Sequence, residues 1–154
     1  MKKYFILLIY LLMLVSCETK EEMEIRKKNE EIEKIKTELN ENNIPESTKE
    51  WLVDINTDKV VTILCLNTSN KCNKLNDEIK EITDTKYKIY YINLDEITEE
   101  EKNIYKNQFE IKDYTGYVPY IIISNRNKLL STKTDVKNFN EINNILKQLK
   151  IVSE

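Results

Sequence analysis

Val60-Val61-Thr62-Ile63-Leu64-Cys65-Leu66 runs through Asn67 and Thr68 into Ser69-Asn70-Lys71-Cys72, and the reading of this stretch decides the fold. Its first seven residues are a continuous β-branched and apolar run, which suits a strand covered on both faces. Beyond the break at Asn67-Thr68, Leu75, Ile79 and Ile82 recur at helical spacing, so a helix is expected from Ser69 to about Asp84. A strand buried on both sides followed at once by a helix is the start of a layered α/β domain.

The same pattern continues outward. Upstream, Ser47-Thr48-Lys49-Glu50 reads as a capping box in which Ser47 reaches the amide of Glu50, opening a short amphipathic helix through Trp51, Leu52 and Ile55. Downstream, Lys88 to Leu94 reads as a second strand. Thr98-Glu99-Glu100-Glu101 is another capping box, for a helix with Ile104, Tyr105 and Phe109 on one side. Val118-Pro119-Tyr120-Ile121-Ile122-Ile123 is a third strand, and Asn125-Arg126-Asn127-Lys128 supplies the turn into a fourth, Leu129 to Thr132. Phe139, Ile142, Ile145, Leu146 and Leu149 close the chain as an amphipathic helix. The order α-β-α-β-α-β-β-α predicts a parallel first pair, an antiparallel last pair, and a mixed four-stranded sheet with helices on both faces.

Composition narrows the chemistry. The 154 residues carry a formal net charge of −3 with Lys and Arg spread evenly, so there is no nucleic-acid footprint. One glycine rules out Gly-rich phosphate loops. The absence of histidine rules out Ser-His and Cys-His machinery, and three cysteines cannot supply a four-thiolate metal site. No metal and no cofactor is expected, and thiol chemistry is the main catalytic option left.

The N-terminus reads as an address. Lys2-Lys3 precedes an unbroken apolar run of twelve residues, Tyr4 to Val15, too short for a transmembrane helix of ~20 residues. The run ends in Leu14-Val15-Ser16-Cys17, which resembles the bacterial lipobox. That resemblance implies a signal peptide over 1–16, diacylglycerol on the Cys17 thiol, and a mature chain held by its acyl chains on the extracytoplasmic or periplasmic side of the cell membrane or outer membrane. From 18 to 50 there are eleven Glu and seven Lys or Arg, a net of −4. Ile25, Ile32 and Leu39 repeat at seven with Ile35 on the same seam, so a solvated helical spacer over 17–46 is favoured over a coiled coil. The domain proper is then 47–154.

Over roughly 50–150, the element order, a Cys near the first helix after a core strand, and Gly116-Tyr117-Val118-Pro119 before the third strand resemble the thioredoxin-like superfamily. Asn93-Leu94-Asp95 is similar to that family's second-strand ending. Among its members the small secreted proteins that include bacteriocin-transport accessory proteins are the nearest in character. The resemblance implies a cis peptide at Pro119 beside the active-site turn. It also implies backbone pairing of the residue before that proline, Val118, with an extended polypeptide client.

The departures are specific. The helix register places Cys72 at the second cysteine of the family's Cys-x-x-Cys turn and Ser69 at the first, so the turn reads Ser69-Asn70-Lys71-Cys72. Thr68 and Ile63 replace the family's Trp and buried Asp, and about four extra residues fall between Ile111 and Pro119. A binding or accessory module lacking the dithiol motif is therefore expected, with Val118, Pro119, Asn70 and Lys71 as binding residues. The alternative is a thiol-disulfide oxidoreductase or a peroxide-reactive thiol enzyme. In it Cys72 is the catalytic residue, biased toward thiolate by the helix N-terminus, with Ser69 donating a hydrogen bond to its sulfur. A Ser-x-x-Cys turn also resembles the peroxidatic turn of peroxiredoxins, but their upstream Pro and catalytic Arg are missing. Cys65 reads as an ordinary core thiol. A Cys65–Cys72 disulfide is the minority alternative, since a strand-to-helix pair seven residues apart is not guaranteed the ~5.5 Å Cα separation required.

Overall fold

The computed structural model describes residues 19–40, 44–82, 86–109 and 116–152. The lipobox with Cys17, Asp84, and most of the segment in which extra residues were expected lie outside them. Among the described residues there are five helices and four strands: α1 (Lys20–Asn40), α2 (Glu46–Thr57), β1 (Lys59–Cys65), α3 (Asn70–Lys80), β2 (Lys88–Asn93), α4 (Glu99–Asn107), β3 (Tyr120–Asn125), β4 (Lys128–Thr134) and α5 (Phe139–Gln148). No helix among them is long and apolar enough to cross a membrane.

The sheet order is β2-β1-β3-β4. β1 pairs parallel with β2 and antiparallel with β3, and β3 pairs antiparallel with β4. The apolar run thus became the strand that is hydrogen-bonded on both edges and packed on both faces. Val61, Ile63 and Cys65 point with Ile121 and Ile123 to one core, where Leu75 of α3 and Ile142 and Leu146 of α5 cover them. Val60 and Leu64 point with Tyr120 and Ile122 to the other, against Trp51, Leu52 and Ile55 of α2 and Tyr105 of α4. This alternation is what a period of two imposes on a strand with helices above and below.

Local signals explain most boundaries. Thr98 and Glu101 form the expected reciprocal capping box. Asn138 caps α5 by accepting from the amide of Glu141 at 3.2 Å. Arg126 and Asn127 both have positive φ, 47° and 58°, as a two-residue hairpin turn matched to strand twist demands.

α3 ends at Lys80, with Glu81 as its C-cap, short of the expected Asp84. Two further boundaries differ from the reading of the sequence. Ser47 is not an N-cap: α2 begins one residue before it, with Pro45 at the cap and no side-chain cap bond. The Pro45 carbonyl accepts from the amides of both Thr48 and Lys49 at 3.0 Å, so the helix starts against the proline. The Thr48 hydroxyl instead reaches across the core to Glu101, 2.9 Å away. β3 begins at Tyr120 rather than Val118, because Pro119 has no amide to give the ladder.

α1 is the helix expected from the charged segment. Its half-buried positions, Lys28, Ile32, Ile35 and Leu39, follow the heptad seam. Ile32 and Leu39 border a cavity shared with Val53 and Asp54 of α2. Lys28 pairs with Asp58, the residue that ends α2, at 2.6 Å. The apolar seam of α1 is therefore met within the chain over its C-terminal half, while Met23 and Ile25 remain exposed.

Candidate functional site

The C-terminal end of β1 collects the residues of interest. Each ladder continued by one step places Pro119 across from Cys65 on one side and beside Asp135 on the other, from the terminal pairs Leu64↔Tyr120 and Tyr120↔Thr134. The Val118-Pro119 peptide is cis. Cys65 turns into the loop that leads to α3, whose first turn carries Cys72. The same end of the sheet carries the first turn of α3, through the bond of Cys72 to Cys65, and the residues that lead into Tyr120.

The state of Cys72 is a correction. Cys65 and Cys72 are joined as a disulfide, with a Cα separation of 5.7 Å. Both residues are 0% exposed and sit in the core with Ile63 and Leu75. Cys65 is therefore not an ordinary core thiol, and Cys72 is not a free thiolate. The geometry that sequence spacing left open is supplied by the tight return of the chain. Ser69 donates its amide to the Leu66 carbonyl at 3.1 Å, which bends residues 66–69 back and brings the first turn of α3 over the end of β1.

Ser69 does cap the helix, but in the opposite sense to the one proposed for a reactive thiol. Its hydroxyl oxygen accepts from the Cys72 amide at 3.3 Å, satisfying one of the orphan donors of the helix start. A network of asparagines and acids holds this turn. Asn93 at the end of β2 donates to the Asn67 side chain and to Glu96, each at 2.6 Å. Asp95 accepts from the Asn67 amide at 2.9 Å. Tyr91 donates its hydroxyl to the Cys72 carbonyl at 3.4 Å. Burial raises the Tyr91 hydroxyl's pKa, with the charges of Glu96 and Asp77 adding to the effect, so it stays a donor.

The surface around the buried disulfide is open and polar. Asn70 and Lys71 are exposed on the first turn of α3, Val118 is half-buried, and Pro119 is buried. Tyr117 is 72% exposed, a large aromatic ring standing free one residue before Val118. Lys71 forms an ion pair with Asp135, joining the tip of α3 to the turn after β4. That hydrogen bond and charge, helped by Lys137, hold the Asp135 carboxyl below the usual carboxylate range. Asp135 has φ 58° and no local sequence signal marked it. Tyr117 had one, its place in the approach to Pro119. Among the described residues no cluster of ligating side chains suited to a metal occurs.

This end of the domain thus combines exposed polar residues on the first turn of α3, an exposed aromatic ring at Tyr117 and a buried sulfur pair. Ile63, fully buried, shares the core cluster of Cys65 and Cys72.

No known protein-family profile matches the chain, and no curated protein sequence does. Solved structures do. Thioredoxin O2 from Arabidopsis thaliana, in its oxidized state, is similar with a TM-score of 0.50 and 13% identity over 66% of this chain and 88% of that one. A designed protein is similar with a TM-score of 0.48 and 14% identity over 65% and 83% of the two chains. The domain has a thioredoxin-like fold, an α/β mixed four-stranded sheet with helices on both faces.

Proposed function

We propose that this chain is a lipid-anchored extracytoplasmic binding module in which the thioredoxin-like scaffold presents a peptide-binding end and the cysteines serve structure. The observation that carries the reading is the Cys65–Cys72 bond with both residues 0% exposed. Thiol-disulfide exchange needs a thiolate that reaches a partner sulfur, and the position that would carry it here is Ser69. With Cys17 assigned to lipid, the chain's three cysteines are all committed.

The binding end consists of Val118, Pro119, Tyr117, Asn70 and Lys71. Val118 lies just outside the β3 ladder, where its backbone would pair with an extended polypeptide as an added strand. Tyr117 offers a rigid aromatic contact of the kind enriched at interface hot spots. Lys71 and Asp135 border the same end and favour a segment with polar or charged side chains.

The second reading, a thiol-disulfide oxidoreductase using Cys72, is supported by one observation: Cys65 of the disulfide follows Leu64, whose ladder partner Tyr120 follows Pro119. Insulin reduction by dithiothreitol separates the two. The expected rate with this protein equals the uncatalysed rate and is unchanged in Cys72→Ser; catalysis that disappears with Cys72 would establish the second reading. Binding is tested on arrays of extended peptides, where Tyr117→Ala is expected to weaken capture while leaving the thermal unfolding midpoint in place.

A further inference from the structure

The direction in which this binding end faces is built into the way α1 joins the domain. α1 runs antiparallel to α2. Leu39 lies near the start of α2, sharing a cavity with Glu46 and Lys49, and Lys28 lies at its end, paired with Asp58. One turn further back, Glu24 and Lys27 border a second cavity with Asn56, Arg126 and Asn127 of the β3–β4 hairpin. The first turn of α1 therefore extends past the hairpin end of the sheet. The hairpin is pinned to that end by its amides: Arg126 donates to the Asp58 carbonyl at 3.0 Å and Asn127 to that of Ile55 at 2.6 Å. β1 starts there at Lys59 and ends at Cys65. At ~3.3 Å per residue it carries the disulfide and Pro119 about 20 Å away, at the opposite pole.

α1 is attached by its half-buried seam and by the Lys28–Asp58 pair, and Asp58 is itself held in a larger charge network. Lys28 holds Asp58, Lys88 of β2 reaches both Asp54 at 2.7 Å and Asp58 at 3.8 Å, and Tyr90 donates to Asp54 at 2.5 Å. This chain of charges ties α1 to α2 and to the β2 edge. The Asp54 carboxylate at its centre is nearly buried, where ion pairs are screened less than at an open surface.

Resting on the lipid-anchor reading of Cys17, we infer that the domain stands on the bilayer with its hairpin end down and its binding end away from the lipid. Cys17 precedes Lys20 by three residues, which bounds the acylated residue to about 11 Å from the start of α1. Eight residues of helix from Lys20 to Lys28 add ~12 Å, so the binding end is held roughly 30 Å above the anchor. The partner is thus an extended segment of a polypeptide in the aqueous compartment, reached above the headgroups. A lipid or a membrane-embedded segment does not meet it.

The test uses the full chain, processed in bacteria and reconstituted into phosphatidylethanolamine/phosphatidylglycerol vesicles carrying an acceptor dye on a headgroup. A donor dye is attached at Lys128→Cys, on the hairpin end, or at Asn70→Cys, on the binding end. The native pair is bonded and buried and does not label. Energy transfer is expected to be about twofold or more greater from position 128 than from 70, given the ~20 Å between the poles. Adding Lys28→Glu with Ile32→Ser, which releases α1, is expected to bring the two values together. Equal transfer from both positions in the otherwise native chain, or greater transfer from 70, would overturn the orientation. Incorporation of labelled palmitate and vesicle flotation, both lost in Cys17→Ala, report the anchor separately. Flotation that survives Cys17→Ala overturns the anchor and the orientation with it, whereas lipidated, floating protein with equal transfer overturns the orientation alone.

Discussion

The hydroxyl oxygen of Ser69 stands 3.3 Å from the amide nitrogen of Cys72 and accepts its hydrogen, so the residue in the place of a nucleophilic cysteine works as a helix cap. Ser69→Ala is expected to cost about 1 kcal/mol, the usual loss for an N-cap, read as a lower midpoint in urea. Ser69→Cys puts a thiol three residues before the bonded Cys72 at a helix N-terminus. Insulin reduction above background is the expected gain, and a silent variant would mean that residue 69 does not address the sulfur of Cys72.

The Cys65–Cys72 bond closes a short loop between the central strand and α3. On the chain-entropy account such a loop contributes about 2–3 kcal/mol by restricting the unfolded chain. The double variant Cys65→Ala/Cys72→Ala is expected to lose that amount in chemical denaturation. Free-thiol titration of the unfolded wild-type protein without reductant tests the bond itself, and thiols from both residues would contradict it.

Trp51, the only tryptophan, is fully buried and donates its indole N–H to the Thr62 hydroxyl at 2.8 Å. Thr62→Val keeps the shape but leaves that N–H unpaired in the core, which is expected to cost about 1–3 kcal/mol. Tryptophan fluorescence reports both the environment and the unfolding midpoint.

Ser124 offers the contrast. Its buried hydroxyl has no hydrogen-bond partner among the described residues. Removing an unpaired polar atom relieves its desolvation, so Ser124→Ala is expected to raise stability by about 1 kcal/mol in the same assay. A loss of that size would show that the hydroxyl is bonded in solution.

Glu101 gives a pH dependence with a definite sign. Burial alone raises its pKa, but hydrogen bonds from the Thr98 amide and from the Thr48 and Thr98 hydroxyls outweigh burial and hold it below the ordinary value. A folded-state pKa below the unfolded one, roughly 4.3, means the stabilisation is present above that value and is lost as pH falls through the folded one. The stability gap between wild type and Glu101→Gln, measured in urea, is expected to be widest near neutrality and to shrink below about pH 4. A gap that widens on acidification would reverse the assignment.

The sheet was legible because its signals are local. The run from Val60 through Leu64 has no polar residue except Thr62, and a strand of that kind is stable only between two apolar layers. The capping box at Thr98 and the hairpin at Arg126-Asn127 are likewise written in a few adjacent residues, since each depends on the backbone amides or φ angles of its own turn. The cap at Ser47 failed as a local reading because the helix starts one residue earlier, at Glu46, where the Pro45 carbonyl takes the amides of Thr48 and Lys49. The competition was settled by the Thr48 hydroxyl finding Glu101 across the core.

Sequence by itself determined the element order, the helix tip that carries Ser69 and Cys72, and the hairpin at Arg126-Asn127, because periodicity and turn chemistry are properties of neighbouring residues. Only the tertiary structure decided that Cys72 is bonded to Cys65, that Asp135 meets Lys71, and that α1 folds against α2 with its start at the far pole from Pro119. Each of those depends on distances between segments that packing brings together, and no spacing along the chain encodes them.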